Sequence, residues 1–137
     1  MGPNEIDLIR IYTTEPGGQV ADLTPLRNGG TTFDVVVEAE AGPARVDGAP
    51  YEVAIIARDA LTGANLASYG TFAQSDKGTL SAPVWGKGYY EHRFNVDVSD
   101  INAVNGHVMD YVAVLHAAGG ANTVHKFAVS PLFIVQQ

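Results

Sequence analysis

The segment from Thr31 to Glu40, TTFDVVVEAE, decides the fold class. One of its faces is apolar and carries Phe33, Val35, Val37 and Ala39. The opposite face carries Asp34, Val36, Glu38 and Glu40. Successive side chains of a β-strand point to opposite sides of the sheet, so this alternation predicts a half-buried strand. The segment Tyr89–Val98, YYEHRFNVDV, alternates in the same way.

Turn-forming residues interrupt the rest of the chain at strand-length intervals, as at Gly17-Gly18, Asp47-Gly48 and Gly119-Gly120. This spacing is typical of a sandwich or barrel of short strands. The predicted strands are Glu5–Thr13, Thr31–Glu40, Tyr51–Asp59, Asn65–Ala73, Tyr89–Val98, His107–Ala117 and Thr123–Val135. Short additional strands are predicted near Val20–Leu23 and Thr79–Val84. Because the 137 residues contain no linker or repeat, we expect one all-β domain over residues 1–137, an antiparallel sandwich of seven to nine strands.

Several local features refine this prediction. Pro131 lacks an N–H group, so it should break or bulge the last strand. Ser99–Ala103 is expected to form one helical turn, capped by Ser99 or Asp100. The strand faces predict a central core, made of Phe33, Val35, Val37, Val53, Ile55, Phe94, Val96, Ala113 and Leu115.

The stretch Val98–Val114, VSDINAVNGHVMDYVAV, resembles the crossover between strands E and F of immunoglobulin-like domains. In that family a tyrosine near the start of strand F bonds to the backbone a few residues upstream. Tyr111 holds the matching position, so the resemblance implies a buried Tyr111 with a hydroxyl bonded upstream. The alternative is an ordinary core aromatic.

The chain departs from antibody-type members of that family. Ala113 stands where a disulfide-bonded member carries cysteine, and Val35 or Val37 stands at the partner position. Trp85 lies outside the predicted strand C, Tyr51–Asp59, where antibody domains place their tryptophan. The chain therefore resembles the disulfide-free fibronectin type III-like and bacterial immunoglobulin-like sandwiches. This fold carries no function with it, since such sandwiches serve in adhesion, assembly, sugar binding and enzyme-appended modules.

Composition excludes several classes of partner. The formal net charge of −7 repels phosphate, so we expect no nucleic-acid partner and no anionic membrane surface. No apolar run reaches the roughly 18 residues of a membrane span, and we expect no membrane insertion. Met1–Arg10 lacks the apolar core of a signal peptide. A cytoplasmic protein and a mature extracellular fragment both remain open.

Metal ligands are sparse in the sequence. The chain has no cysteine, and of its histidines only His116 and His125 can meet, in one register across Gly119-Gly120. Two ligands make a weak site, so we assign no metal and no cofactor. Asp97, Asp100 and Asn102 cluster at the predicted E–F turn with oxygen ligands that suit calcium. Turn formation and helix capping explain these residues equally well.

Catalytic motifs are absent: the sequence has no Gly-x-Ser-x-Gly, no His-Glu-x-x-His and no P-loop. A small enzyme without a recognisable motif is therefore the least favoured of three hypotheses.

A carbohydrate-binding module is the second hypothesis. In such a module Trp85 and Tyr89 would be exposed and would stack on a sugar ring.

The leading hypothesis is a non-catalytic structural or protein-interaction module, a surface, secreted or appended domain of a bacterial protein. Strand parity places apolar side chains on the outer face of the sheet predicted from strands C (Tyr51–Asp59), F (His107–Ala117) and G (Thr123–Val135). The residues expected to form this interface with a protein partner or a second copy are Ile56, Val112, Val114, His116 and Val124. Depending on the hairpin register, the last strand adds either Val124 and Ala128 or His125 and Phe127, and both choices leave apolar side chains outside. The other sheet should present a polar outer face, with Asp34, Glu38, Glu40, Glu91, Arg93, Asn95 and Asp97. Two rival explanations remain: Asp22–Asn28 or Asn65–Ala73 covers the apolar face, or the inside and outside assignments are reversed.

Overall fold

The computed structural model describes residues 5–26, 30–118 and 123–136. These residues form eight strands: β1 (Ile6–Thr14), β2 (Thr32–Ala41), β3 (Pro50–Asp59), β4 (Gln74–Thr79), β5 (Tyr89–Asp97), β6 (Val108–Ala117), β7 (Val124–Val129) and β8 (Phe133–Ile134). One helical turn, α1 (Ile101–Val104), joins β5 to β6, and short 3₁₀ turns occupy Pro43–Arg45 and Ala67–Tyr69.

The strands build two antiparallel sheets. The smaller sheet has the order β1-β2-β5. The larger has the order β4-β3-β6-β7, and β8 also pairs with β6. The prediction of an all-β antiparallel sandwich with seven to nine strands is confirmed.

The core lies between the two sheets, where the period-two pattern placed it. All nine predicted core residues are buried: Phe33, Val35, Val37, Val53, Ile55, Phe94, Val96, Ala113 and Leu115. A cluster of aromatic rings forms part of this core. Phe72 and Phe133 pack beside Phe33, with ring centroids 6.2 and 5.7 Å from its own.

The fourth strand differs from the prediction. Asn65–Ala73 is not a strand, because Leu66 and Phe72 reach the core from a 3₁₀ turn and a loop. Gly70, with φ +145°, follows that turn. The strand instead occupies the polar segment Gln74–Thr79, at the edge of the larger sheet. No strand forms at Val20–Leu23.

The turn at α1 and the break at Pro131 are confirmed. Asp100 is the N-cap of α1, and its carboxylate accepts a hydrogen bond from the Ala103 amide at 3.2 Å. The chain leaves the ladder between β7 and β8, where Ser130 and Pro131 lie.

Tyr111 is buried as predicted, but its predicted hydrogen bond is wrong. Within the described ranges, no hydrogen-bond partner lies near the Tyr111 hydroxyl. The ring stacks on Phe133, with centroids 5.7 Å apart and planes at 14°, and apolar burial raises the pKa of this phenol well above its usual value. Tyr111 is therefore a core aromatic without the corner hydrogen bond.

The outer face of the smaller sheet is polar, but part of it is covered, contrary to the prediction. Val36 and Asp34 are buried there. Tyr12 lies opposite Val36 on β1. The Asp34 carboxylate accepts hydrogen bonds from the Gly17 amide at 2.9 Å and from Arg93 at 3.2 Å, so the loop after β1 is tied over the sheet.

Candidate functional site

The outer face of the larger sheet carries a contiguous set of apolar side chains, which we call the apolar face. Two rows of three residues cross the strands β3, β6 and β7. The first row contains Ala54, Val114 and Phe127, and the second contains Ile56, Val112 and Val129. Each row is fixed by the antiparallel register, which sets its three residues directly opposite one another on neighbouring strands.

The apolar face has exposed side chains on β7 and a concavity over β3. Phe127 and Val129 on β7 are 71% and 57% exposed. Over β3, a concavity of about 450 Å³ lies between the start of β4 and the outer side chains of β6. Its lining includes Ala54, Ile56, Ala73, Val112 and Val114. The face thus presents a protruding aromatic ring beside an apolar hollow.

The described chain leaves this face open. Residues 22–26 do not cross it, because the Leu23 carbonyl accepts a hydrogen bond from the Ile134 amide on β8. The remainder of the segment Asp22–Asn28 lies outside the described residues. From the segment 65–73, Ala73 contributes to the wall of the concavity. The inside and outside assignments of β3 and β6 are as predicted, since Val53, Ile55, Ala113 and Leu115 are buried.

Polar side chains border the apolar face at both ends. At one end Arg58 donates two hydrogen bonds to the Asp110 carboxylate, at 3.0 and 2.9 Å. At the other end, Lys77 pairs with Glu52 at 3.3 Å. His116 lies opposite Glu52 in a third row, next to that of Ala54 and Val114.

His125 completes that row, because β7 pairs it directly with His116. The two imidazole rings are parallel, with centroids 4.5 Å apart and planes at 4°. This is the single register in which the sequence allowed the two histidines to meet.

The prediction for Val124 is wrong. Val124 lies opposite Ala117 on the inner side of β7 and packs against the core. The outward residues of this strand are His125, Phe127 and Val129. Sequence reasoning left two registers open here, because the turn between β6 and β7 does not fix the parity of β7. The structure has the register that points His125 and Phe127 outward, whereas the predicted interface follows the register that points Val124 outward.

The proposed sugar platform does not exist in this structure. Trp85 is fully buried, stacked on Tyr90 with centroids 4.8 Å apart and planes at 18°, so its predicted exposure is wrong. Tyr89 is 42% exposed, and its hydroxyl donates to Glu38 at 2.5 Å. That hydrogen bond is the main cause that raises the pKa of Tyr89 to about 12.

A second polar cluster lies at the sandwich edge between β4 and β5. Tyr51 and Tyr90 both donate to one oxygen of Asp76, at 2.9 and 2.7 Å. Burial, and then the bond to Asp76, raises the pKa of Tyr51 to about 12 and raises that of Tyr90 further. His92 lies 3.8 Å from the same carboxylate oxygen. A concavity of about 490 Å³ opens beside these groups. Two phenols therefore share one carboxylate at this edge.

The remaining candidates do not converge. Asp100 is occupied as a helix cap, Asp97 accepts from the Thr31 hydroxyl at 3.4 Å, and Asn102 is exposed. In the described parts of the chain, no three His, Cys, Asp or Glu side chains are placed to hold one metal ion. His107 pairs with Asp59 at 3.0 Å.

Comparison with known proteins does not assign a function to this chain, so a function has to be argued from the geometry of the site. No protein-family model and no curated protein matches the chain. Among the described helices, none has the length and apolar character needed to cross a bilayer.

Proposed function

We propose that this chain is a non-catalytic association module that binds a second copy of itself through the apolar face. The observation that carries the proposal is the exposed Phe127 beside an apolar concavity on the same sheet. Contiguous apolar surface of this kind on a soluble domain commonly marks an interaction site. A second copy is the occupant that the shape and the charge of the face favour.

The shape favours a twofold arrangement. In an isologous contact the same patch on both copies must be complementary to itself. A twofold axis parallel to β6 would set β7 of each copy over β3 of the other. Because Ala54, Val114 and Phe127 share one row, Phe127 of each copy would then lie over Ala54 and the concavity of its partner.

The charge of the face also favours a like partner. The chain as a whole carries −7, and long-range repulsion between copies opposes association. At the apolar face, however, the acids are already paired within the chain. Asp110 holds Arg58, and Glu52 holds Lys77. The two copies would therefore bring together neutral pairs and apolar rows, with no uncompensated acid between them.

We also propose that the sandwich is of the disulfide-free immunoglobulin-like, fibronectin type III-like kind. The strand order β1-β2-β5 and β4-β3-β6-β7 supports this, since it corresponds to strands A-B-E and C′-C-F-G of that fold. Val35 and Ala113 pack in the core where a disulfide would otherwise join the sheets. Modules of this fold with an apolar outer sheet face are suited to assembly.

Cross-linking tests the twofold contact, because the chain has no cysteine of its own. Ile56→Cys and Val129→Cys share a row, so the arrangement sets residue 129 of one copy over residue 56 of the other. Packed sheets lie about 10 Å apart, and a bismaleimide of about that reach should join a mixture of the two variants.

The expected product is a cross-linked dimer with one chain of each variant, identified by mass. The control mixes Val129→Cys with Leu61→Cys, which is 87% exposed but lies in the turn after β3. A yield from the first mixture no higher than from the control would overturn the proposed contact.

A further inference from the structure

The stacked pair His116 and His125 lies at one end of the apolar face, in the row next to that of Val114 and Phe127. The two residues lie directly opposite each other on β6 and β7, and both side chains point to the outer face of the larger sheet. His125 is exposed and His116 is half-buried. Among the described residues, neither imidazole has a hydrogen bond or an ion pair, and each ring contacts the other. Their nitrogen atoms are therefore available to a ligand from solvent.

We propose that His116 and His125 chelate one divalent transition-metal ion of the class that imidazole binds, namely Zn²⁺, Ni²⁺ or Cu²⁺. Neutral imidazole is a preferred ligand for these ions. Zinc–nitrogen bonds are about 2.0–2.1 Å long, so two nitrogens on one tetrahedral ion lie roughly 3.3 Å apart. Ring centroids 4.5 Å apart place the nitrogens within reach of that separation.

Coordination requires a small rearrangement of the rings. Stacked rings hold their nitrogen lone pairs in two parallel planes, whereas two ligands of one ion must converge on it. Rotations about the Cα–Cβ and Cβ–Cγ bonds of both residues bring one nitrogen of each ring toward a common point. The backbone need not move, because the β6–β7 ladder already fixes the two Cβ positions as direct neighbours.

The surroundings leave room for the other ligands of the ion. A concavity of about 220 Å³ lies beside His116, lined by Pro50, Glu52, Lys77 and Ala118 among others. The Glu52 carboxylate is engaged by Lys77 at 3.3 Å. Water therefore completes the coordination in a single chain, and the site does not depend on a second copy.

Binding of Cu²⁺ to the untagged chain tests this site, with the copper electron paramagnetic resonance spectrum as the readout. The wild type should bind one ion through two imidazole nitrogens at this pair. His116→Ala and His125→Ala should each weaken the binding roughly tenfold or more, because the second imidazole otherwise binds at high effective concentration. The double variant should lose little more than either single one, since the two ligands act as a unit.

His107→Ala is the matched control, because His107 is also an exposed histidine and has a carboxylate neighbour at 3.0 Å. It should leave the affinity of the pair unchanged. Single variants that keep the wild-type affinity would overturn the proposal. So would equal losses that add in the double variant, which would indicate two independent histidines.

Thermal unfolding with Zn²⁺ gives a second readout. A ligand that binds the folded state raises the unfolding temperature, so Zn²⁺ should raise it for the wild type and for His107→Ala, but much less for the two pair variants. Repeating the titration on Ile56→Lys separates this site from self-association, because Ile56 lies two rows away. Binding should survive there, and its loss would contradict a site built within one chain.

Discussion

Phe127 lies directly opposite Val114 across the β6–β7 ladder, and its ring extends from the sheet into solvent. Val114, on the neighbouring strand, lines the concavity that begins beside it. The exposed Phe127 ring lies beside the concavity because of the register between β6 and β7. A shift of β7 by one residue would turn Phe127 into the core and bring Lys126 to the outer face.

Removal of the Tyr111 hydroxyl should not destabilise the protein. The hydroxyl is buried and has no hydrogen-bond partner among the described residues, so the folded state bears its desolvation cost without a compensating bond. We expect the free energy of unfolding of Tyr111→Phe, from urea denaturation, to equal or exceed that of the wild type. A loss of more than about 1 kcal/mol, the net worth of a hydrogen bond, would restore the tyrosine-corner interpretation.

The Ser130 side chain should contribute measurably to the free energy of unfolding. Its buried hydroxyl accepts from the Tyr111 amide at 2.9 Å and donates to the Pro131 carbonyl at 2.9 Å, where the chain leaves the sheet. Ser130→Ala leaves a buried amide without this acceptor, at a cost of about 1–3 kcal/mol in unfolding free energy. Ser75→Ala, at an exposed position of β4, serves as the control and should change little. Equal stabilities of the two variants would show that the Ser130 bonds contribute nothing.

Stability should fall in alkaline solution. The pKa of Tyr51 is about 12 in the folded chain, against the ordinary value of 10.0 for an exposed phenol. The folded state therefore holds this proton more tightly than the unfolded state. The contribution is complete below pH 10 and is lost as the pH rises toward 12.

The measurement is the pH dependence of the free energy of unfolding over that range, for the wild type and for Tyr51→Phe. The variant should show a shallower fall, because it lacks one of the protons that the folded state retains. A slope identical to that of the wild type would be inconsistent with a shifted Tyr51.

The period-two pattern predicted the core well, because a strand that is buried on one face must carry apolar residues at every second position. Phe33, Val35 and Phe94 are at their predicted places since a one-residue slip would expose all of them. The pattern failed where apolar residues do not alternate. The segment Asn65–Ala73 was predicted as a strand, but its Leu66 and Phe72 enter the core from a 3₁₀ turn and a loop. The true strand, Gln74–Thr79, is polar because it lies at the sheet edge.

The candidate site was predictable only in part. Ile56, Val112, Val114 and His116 follow from the parity of β3 and β6, which the buried strand faces fix. Phe127 depends on the register of β7, and nothing in the sequence of its connecting turn determines that. Trp85 lies in a turn, and its burial follows from a stack on Tyr90 that local sequence does not encode. The bacterial origin and the location of the protein stay predictions.

Sedimentation equilibrium is the most direct test of association through the apolar face. We expect the average mass of the wild type to rise with concentration toward twice that of one chain. Phe127→Glu should hold the mass at one chain, because it places a charge in the contact over the partner's apolar concavity while leaving the core unchanged. Leu61→Glu, a change at an exposed position outside the face, should behave as the wild type. A wild type that keeps the mass of one chain at the highest concentration reached would contradict the account.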